Sequence, residues 1–375
     1  MTRTLFIDHT AEPGGAELAL ARYVEHDSVL GAGAKGAAGV LFLQDGPVAQ
    51  RLRRSGVDVL VNDRGRSGAR AAIADAIARV QPDVTVSNSL RAGVLSSTVS
   101  GPPHIHYLRD RVGPGELSRA KRTLVRQVLA RRVDAVIANS ASTLATLAPF
   151  LRDQPTAAVP SPSGVRAVAA GRDGVLRNGP ALRVLSLSRL APWKGQHVIV
   201  AALGRLREAA PDAAIRLTVA GAPLFGEAQY AAQLREQCAE LGIAATFTGH
   251  VEDVSGLLHC HDVLVHSSTR PEPFGQVVVQ GLAAGLCVVA TDGGGPAEII
   301  VDGASGLLVP PDDPAALARA LERIRDSAEL RAGLSAHGTA AAARYTDVEC
   351  IAALRTAIDS LADQLRTARR LPHGA

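Results

Sequence analysis

A single carboxylate, Glu272, lies in a loop rich in proline and glycine, with the sequence Arg-Pro-Glu-Pro-Phe-Gly-Gln from Arg270 to Gln276. An apolar helix is expected directly after this loop, over residues 277–284. Backbone N–H groups at the start of a helix attract anions and other oxygen-rich ligands. The loop could therefore hold a ligand between these N–H groups and the Glu272 carboxylate. The alternative is that Glu272 only caps the helix.

Two cations form a second candidate site. Arg189 and Lys194 are five residues apart in a loop that follows a predicted strand and precedes a predicted helix. A planar guanidinium and a compact ammonium beside a helix N-terminus suit a pyrophosphate. The chain has only two other lysines, Lys35 and Lys121, and the same loop contains its single tryptophan, Trp193. These rare residues favour a binding function over a solvated surface loop.

Two glycine turns lie at similar positions. Gly14 and Gly15 separate the first predicted strand from the first predicted helix, and three glycines at residues 293–295 follow a later strand. Glycine allows a ligand to approach the backbone closely. Neither turn has the spacing of a dinucleotide-binding fingerprint, which argues against a Rossmann oxidoreductase. The first turn could also be a tight connection that binds nothing.

Strands and helices must alternate along the chain to position these residues. Short apolar runs such as 4–8, 84–87 and 183–188 are typical of parallel strands that are buried on both faces and joined by helices. Residues 155–180 contain several prolines and glycines and are expected to form an interdomain linker. The sequence predicts an α/β fold of two doubly wound domains, with ligands in the cleft between them.

The composition excludes several other classes of protein. With 47% hydrophobic and 20% charged residues, the chain is not expected to be disordered. No secretory signal and no apolar run of membrane-spanning length is evident. The four cysteines lack metal-site or disulfide spacing and are expected to be reduced thiols of a cytoplasmic protein. Residues 1–180 carry 23 Lys/Arg against 15 Asp/Glu, so this half is expected to meet something anionic.

Taken together and in this order, the motifs resemble those of glycosyltransferase family 4, the retaining nucleotide-sugar glycosyltransferases with the GT-B fold. The likeness covers nearly the whole chain. It rests on Gly14-Gly15, Asn139-Ser140, Ser163-Gly164-Val165, Arg189 with Lys194-Gly195, the run from Phe247 to Val251, the run from Glu272 to Gly275, and the glycines at 293–295.

This resemblance implies a domain organisation. Residues 1–170 would form a Rossmann-like domain that binds the acceptor, and residues 181–345 one that binds the nucleotide-sugar. Residues 346–375 would form a C-terminal helix that packs back toward the first domain.

The resemblance also implies roles for individual residues. Arg189 and Lys194 would stabilise the leaving diphosphate, and Glu272 would hold hydroxyls of the transferred sugar. His106 would be a further sugar-contacting residue. The remaining donor-binding residues would be Gly14, Gly15, Gly221, His250, Val251, Phe274, Gly275, Gln276, Gln280 and Gly294. The reaction would be hexosyl or N-acetylhexosaminyl transfer from a nucleotide-sugar, with a UDP-sugar as the expected donor, and would need neither a metal nor another cofactor.

Gln280 departs from the family pattern, which has a second glutamate at this position to hold the ribose diol of the nucleotide. A carboxylate accepts two hydroxyl protons, whereas an amide offers one acceptor and one donor group. We expect the diol to be held less tightly. A protein of this fold that binds a nucleotide-sugar without transferring it is the alternative function.

His104 and His106 would lie on one face of a predicted strand, in a spacing that could bind a metal. No cysteine or further histidine lies near them in sequence, which argues against a metal site. His106 fits the sugar contact that the resemblance implies, and a buried structural histidine is the alternative.

The predicted helix from Leu117 to Arg132 contains six cationic side chains and no acidic one. A solvated face is one interpretation, and peripheral contact with an anionic membrane is the other. Few aromatic residues accompany these charges, so we expect no nucleic-acid partner. The expected partners are a nucleotide-sugar and a hydroxyl-bearing acceptor, which could be a small molecule, a glycan or a lipid-linked compound.

Overall fold

The protein is described by a computed structural model that covers residues 2–30, 39–171, 173–176, 181–224 and 226–370. The chain forms two compact units. Met1–Gly164 and Asp347–Ala375 form the first unit, and Val165–Thr346 form the second.

The described residues of the first unit contain a seven-stranded sheet in the order β3-β2-β1-β4-β5-β6-β7, and all its paired neighbours are parallel. Most of its strands are short apolar runs whose side chains are fully buried. The strands are β1 (Thr4–Asp8), β2 (Gly39–Phe42), β3 (Val59–Val61), β4 (Val84–Ser87), β5 (His104–Leu108), β6 (Ala135–Ala138) and β7 (Thr156–Ala158).

Helices connect these strands, as parallel pairing requires. They are α1 (Gly15–Leu30), α2 (Pro47–Arg54), α3 (Ala69–Val80), α4 (Leu90–Ser96), α5 (Arg119–Leu124), α6 (Ala130–Arg132) and α7 (Ala141–Leu147). The chain runs from β1 outward to β3 and then returns to β4, beside β1. The order of the strands therefore reverses between β1 and β4, which is where open α/β sheets bind ligands.

The second unit repeats this plan. Its described residues form a six-stranded parallel sheet in the order β10-β9-β8-β11-β12-β13. The strands are β8 (Leu182–Leu187), β9 (Ile215–Ala220), β10 (Ala245–Gly249), β11 (Val263–His266), β12 (Cys287–Thr291) and β13 (Leu307–Val309). The helices are α8 (Gln196–Ala209), α9 (Ala228–Glu240), α10 (Val254–His259), α11 (Gln276–Ala283), α12 (Gly295–Ile299), α13 (Pro314–Asp326) and α14 (Ala328–Ala342). Here the strand order reverses between β8 and β11.

The last helix, α15 (Asp347–Arg370), belongs to the first unit although it follows the second in sequence. Its buried side chains, among them Ile351, Leu354 and Ile358, join one hydrophobic cluster with Phe6 and Tyr23. This helix therefore completes the core around β1 and α1.

Three features differ from the sequence-based expectations. Residues 156–158, expected to be linker, form the edge strand β7, because a short run beside β6 can still pair through its backbone. The basic helix begins at Arg119 rather than Leu117, and a π-helical segment, Val125–Leu129, interrupts it. The helices α2, α4, α7, α10 and α14 were not expected, because they are short or rich in small and polar residues.

In the parts of the chain that are described, no helix combines the length and the apolar character that crossing a bilayer would require.

We predict that Leu354→Ala lowers the free energy of unfolding by about 3 kcal/mol, because it leaves a cavity where α15 meets the core of the first unit. Leu354 is 1% exposed. Urea denaturation followed by circular dichroism measures the loss. Thr356→Ala, an exposed change on the same helix, is the control and should change stability by less than about 0.5 kcal/mol. Equal effects of the two changes would contradict the packing of α15.

Candidate functional site

Polar side chains gather at the carboxyl end of the second sheet, where its strand order reverses. Arg189 and Lys194 lie in the loop after β8, and this loop contains one 3₁₀ turn, Pro192–Lys194. His266 ends β11, and Glu272 lies in the loop between β11 and α11. Because β8 and β11 are neighbours, both loops emerge at the same edge of the sheet.

Lys194 and Glu272 form an ion pair, with the Lys194 Nζ 2.6 Å from the Glu272 Oε2. Their side chains are only 14% and 15% exposed. The same carboxylate oxygen lies 3.3 Å from the His266 Nε2 and accepts a hydrogen bond of 3.1 Å from the Ser268 hydroxyl. Lys194, His266 and Ser268 therefore all contact one oxygen of Glu272.

These neighbours decide the charge of Glu272. Burial by itself would raise the pKa of this carboxyl, but the Lys194 ammonium and the hydrogen bond with His266 together hold its pKa well below the usual range. Glu272 is therefore ionised throughout the neutral range and can accept hydrogen bonds from hydroxyl groups.

Arg189 has an acidic partner as well. Its Nη1 donates a hydrogen bond of 3.0 Å to the Glu227 Oε2, just before α9. The Trp193 ring lies 4.0 Å from the Lys194 ammonium and 5.6 Å from the Arg189 guanidinium. The tryptophan ring thus makes cation–π contacts with both cations of the loop.

Close backbone contacts hold the loops in place. Gly195 has φ 70°, and a Cβ at this position would collide with the carbonyl of Ser267. The Ser267 hydroxyl donates in turn to the carbonyl groups of Lys194 and Gly195. The two loops therefore contact each other directly through their backbones.

The glycine turn at residues 293–295 also contacts the loop of Glu272 through its backbone. Gly294 pairs with Glu272 in an isolated parallel bridge, and the Gly295 N–H donates to the Glu272 carbonyl at 2.8 Å. A Cβ at Gly294, which has φ 70°, would overlap the Glu272 backbone. Only a residue without a side chain fits between these segments.

The start of α11 presents amide groups beside this site. Gly275, with φ 96°, is the N-cap, and Gln276 is the first helical residue. Gln276 and Gln280 are four residues apart, both half-buried, and lie on the same face of the helix. The Phe274 side chain is 4% exposed and packs against Tyr345, so only its backbone could contact a ligand.

Three further residues expected at the donor site lie at the ends of β9 and β10. The Gly221 N–H donates to the carbonyl of Gly249, and a Cβ at Gly221 would strike the carbonyl of Ser188, next to Arg189. His250 is exposed and Val251 half-buried in the loop after β10. Of these, Gly221 directly contacts the loop that carries the two cations.

Gly14, Gly15 and His106 belong to the first unit. The two glycines join β1 to α1, and the Glu17 carboxylate lies against Gly14. Asp8, His9 and Glu17 offer ligand atoms that all lie within 4.8 Å of one another, and they could hold a metal ion. Within the described residues they are the one such group of histidine, cysteine or acidic side chains.

His106 is completely buried in the first sheet. Its Nδ1 lies 2.8 Å from the Ser87 hydroxyl, which also lies 2.8 Å from the Nε2 of His104. Burial lowers the pKa of His106 to about 3 and that of His104 to about 4, so both rings are neutral. This position favours the alternative of a structural histidine, and the sugar contact stays a prediction.

Sequence reasoning missed Glu227, His266 and Ser268. The sequence offered a signal for His266 and Ser268, because polar residues at the end of a buried strand lie at the ligand-binding edge of a parallel sheet. Glu227 had none, because it lies 38 residues from Arg189 and only the fold brings the two together.

Residues 172–340 match the family described as "Glycosyl transferases group 1". The chain is 30% identical over 281 residues to a D-inositol 3-phosphate glycosyltransferase of Stackebrandtia nassauensis. The aligned region covers 68% of this chain and 62% of that protein. It is 37% identical over 199 residues to a phosphatidyl-myo-inositol mannosyltransferase of Mycobacterium tuberculosis, and this alignment covers half of each protein. The matches thus span between half and 62% of these relatives.

Among solved structures, the chain is similar to Anabaena HepE in complex with UDP and glucose. The TM-score is 0.83 at 25% identity, and the match covers 96% of this chain and 100% of that one. The fold predicted from the sequence, GT-B with two doubly wound α/β units, is confirmed, and so is the recognition of the family.

We predict that Lys194→Met lowers the free energy of unfolding by about 3 kcal/mol at pH 7, because it leaves the buried Glu272 carboxylate without its cation. The Glu272 pKa is depressed on folding, so the stability that this group contributes is present above its ordinary pKa of 4.5 and is lost as the pH falls toward the folded value. The deficit of the variant should therefore shrink near pH 4.

Urea denaturation at pH 7 and pH 4 measures this difference. Asp58→Asn is the control, since it removes an exposed pair with Arg79 and should change stability by less than about 0.5 kcal/mol. A deficit of the same size at both pH values would show that Glu272 is not ionised by its contact with Lys194.

Proposed function

Since residues 172–340 belong to the group 1 glycosyl transferases and the chain has the GT-B fold, we propose that this protein transfers a hexose or N-acetylhexosamine from a nucleotide-sugar to a hydroxyl group, with retention of configuration. The observation that carries the proposal is the ion pair of Lys194 and Glu272 beside Arg189. This arrangement joins two cations suited to a diphosphate with an ionised carboxylate suited to sugar hydroxyls.

Arg189 and Lys194 stabilise the leaving diphosphate in this proposal. The carbon–oxygen bond to the phosphate breaks in the reaction, and negative charge develops on the diphosphate. Cations held in place before the reaction stabilise this charge without further rearrangement. Their present acidic partners, Glu227 and Glu272, hold both cations at the edge of the sheet.

Glu272 positions the sugar. Its carboxylate is ionised, and its second oxygen, Oε1, lies outside the contacts with Lys194, His266 and Ser268, which all involve Oε2. Hydroxyl groups of the sugar donate to it, and backbone groups at Phe274, Gly275 and Gln276 contact the sugar or phosphate from the start of α11.

The acceptor hydroxyl attacks the anomeric carbon on the face from which the nucleotide diphosphate departs. One bond forms between the acceptor oxygen and the anomeric carbon, and the bond to the phosphate breaks. The hydroxyl proton passes to the departing phosphate. Arg189 and Lys194 supply the positive charge that stabilises the diphosphate anion, so the proposal requires no metal ion.

The named relatives support the donor and acceptor classes. HepE was solved with UDP and glucose, which supports a UDP-sugar as donor. The two curated relatives are named for an inositol phosphate and a phosphatidyl-inositol, which are both hydroxyl-bearing acceptors. We therefore propose a hydroxyl-bearing small molecule, glycan or lipid-linked compound. Peripheral membrane contact through residues 117–132 stays a prediction.

We predict that UDP-sugars stabilise the protein against heat more than GDP-, ADP- or TDP-sugars. A ligand present at 100 times its Kd adds about 2.7 kcal/mol of stability, which a thermal-shift panel measures as a rise in Tm. Arg189→Ala and Lys194→Ala should reduce this rise, and Arg205→Ala on α8, outside the site, should not.

A panel in which no nucleotide-sugar raises Tm would overturn the proposed function. A rise in Tm without release of free nucleotide in the presence of acceptors would favour a binding protein.

We predict that Gln280→Glu lowers the KM for the nucleotide-sugar by about threefold to tenfold, because a carboxylate accepts both protons of a ribose diol. The kcat should change little, since the ribose does not react. Initial rates at graded donor concentration measure both constants, and Glu298→Gln, an exposed change on α12, is the control. An unchanged KM and an unchanged preference among nucleotides would show that Gln280 does not contact the ribose.

A further inference from the structure

A cavity that the proposed reaction does not use lies in the first unit, beside the basic helix that follows β5. Its volume is about 370 Å³. It is lined by Arg126, Gln127, Arg131, Pro149, Phe150 and Arg152. Three of these six residues are arginines and none is acidic, so the cavity attracts anions.

The cavity lies at the amino edge of the first sheet. The basic helix ends just before β6 begins, and residues 149–152 lead into β7. Both segments therefore meet the amino ends of these strands, where the Val136 N–H donates to the carbonyl of Pro155. Open α/β sheets bind their substrates at the carboxyl ends of the strands. The cavity is therefore separate from the ligand-binding edge of this sheet.

The π-helical segment brings two of the arginines to one side of the helix. The Ala130 N–H donates to the carbonyl of Val125, which is five residues back instead of the four of an α-helix. Arg126 and Arg131 are also five residues apart, and both line the cavity. An α-helix of 3.6 residues per turn would direct them to different sides. Like charges one helical turn apart repel each other, and single π turns are frequent at functional sites.

The Phe150 ring holds the Arg126 side chain in place. The carbon of the Arg126 guanidinium lies 3.8 Å from the centre of this ring, in a cation–π contact. The Nε of Arg126 is buried and has no hydrogen-bond partner among the described residues. The Gln154 side chain donates to the Ala130 carbonyl at 3.0 Å and ties the segment after α7 to the end of the helix. The walls of the cavity are thus joined before any ligand binds, which lowers the cost of binding.

The three arginines of the cavity have no acidic partner in the parts of the chain that the structure describes. By contrast, Arg51 and Arg111 of the same unit each pair with a glutamate at 2.6 Å. Positive charges that no acid neutralises repel one another when they line one cavity. A bound anion would remove this repulsion.

We propose that this cavity binds a phosphate group that is carried by a small molecule or by a lipid head group. A guanidinium donates pairs of hydrogen bonds that match the oxygens of a phosphate, and a phosphate dianion has oxygens for several such groups. A carboxylate has only two oxygens and one charge, and would satisfy one arginine. The volume of the cavity is in the range of small-molecule sites, so the phosphate group belongs to a larger molecule.

The site takes no part in the proposed transfer of a sugar. A failure of the proposed transferase function would therefore leave this inference standing.

Calorimetric titration of the whole chain with inorganic pyrophosphate tests the site in solution. The cavity variants are Arg126→Gln, Arg131→Gln and Arg152→Gln. Arg132→Gln is the matched control, because it removes the same charge from an exposed arginine of the same helix that does not line the cavity. Arg189→Ala identifies any pyrophosphate that binds to the loop after β8.

We expect each cavity variant to weaken the binding of pyrophosphate by about tenfold, because each removes charge-assisted hydrogen bonds. Arg132→Gln should weaken it by less than about twofold, and Arg189→Ala should leave it unchanged. Arg131→Gln and Arg152→Gln alter exposed side chains and keep the test valid if Arg126→Gln is unstable.

Cosedimentation with vesicles distinguishes the two sources of the phosphate group. Phosphatidylcholine vesicles with phosphatidic acid present phosphomonoesters, whereas vesicles with phosphatidylserine, matched in surface charge, present none. Binding that prefers phosphatidic acid and is lost in the three cavity variants identifies a lipid head group. Binding of pyrophosphate without this preference identifies a soluble phosphorylated compound.

Three results would contradict the inference. Equal weakening by Arg132→Gln and by the cavity variants would show that net charge alone attracts the anion. Binding of pyrophosphate that Arg189→Ala abolishes and the cavity variants leave unchanged would belong to the loop after β8. A wild-type protein that neither binds pyrophosphate nor prefers phosphatidic acid would show that the cavity binds no phosphate group.

Discussion

Lys194 and Glu272 form an ion pair that is largely shielded from water. The segments of the second unit that surround the pair have to satisfy its remaining hydrogen bonds. Burying such a pair is costly unless further hydrogen bonds satisfy it. His266 and Ser268 provide these bonds, because β11 ends beside the loop that follows β8. The glycine turn at 293–295 then fits under the Glu272 backbone without side chains.

The two units share a plan but differ in the chemistry of their ligand-binding edges. In the second unit this edge carries the cations Arg189 and Lys194, each beside an acid, and suits a diphosphate joined to a sugar. In the first unit it carries the acids Asp8 and Glu17 with His9, and their ligand atoms all lie within 4.8 Å of one another. The same topology can carry such different groups because the strands provide only the position, while the loop residues provide the chemistry.

Sequence reasoning was most reliable for the strands and for the loops that follow them. Strands β1 and β4 were predicted with their observed bounds, because short apolar runs between turn residues are local signals. The helices α4 and α7 gave no such signal, since each has seven residues and several small side chains. The basic helix near residue 120 was predicted as continuous, and its π-helical segment, Val125–Leu129, was not foreseen. Val125 and Leu129 are both buried in one hydrophobic cluster.

The sequence by itself determined the α/β architecture, the positions of Arg189, Lys194 and Glu272 in loops after strands, and the glycine turns, because each depends on residues close together in the chain. Only the tertiary structure decided which partner each charge has. Lys194 and Glu272 are 78 residues apart, Arg189 and Glu227 are 38 apart, and Asn88 reaches Asp8 across 80 residues. The tertiary structure also placed His106 inside the sheet and His9 at its edge. Composition and periodicity carry no information on such contacts, because these depend on which strands become neighbours and on where each loop leaves the sheet.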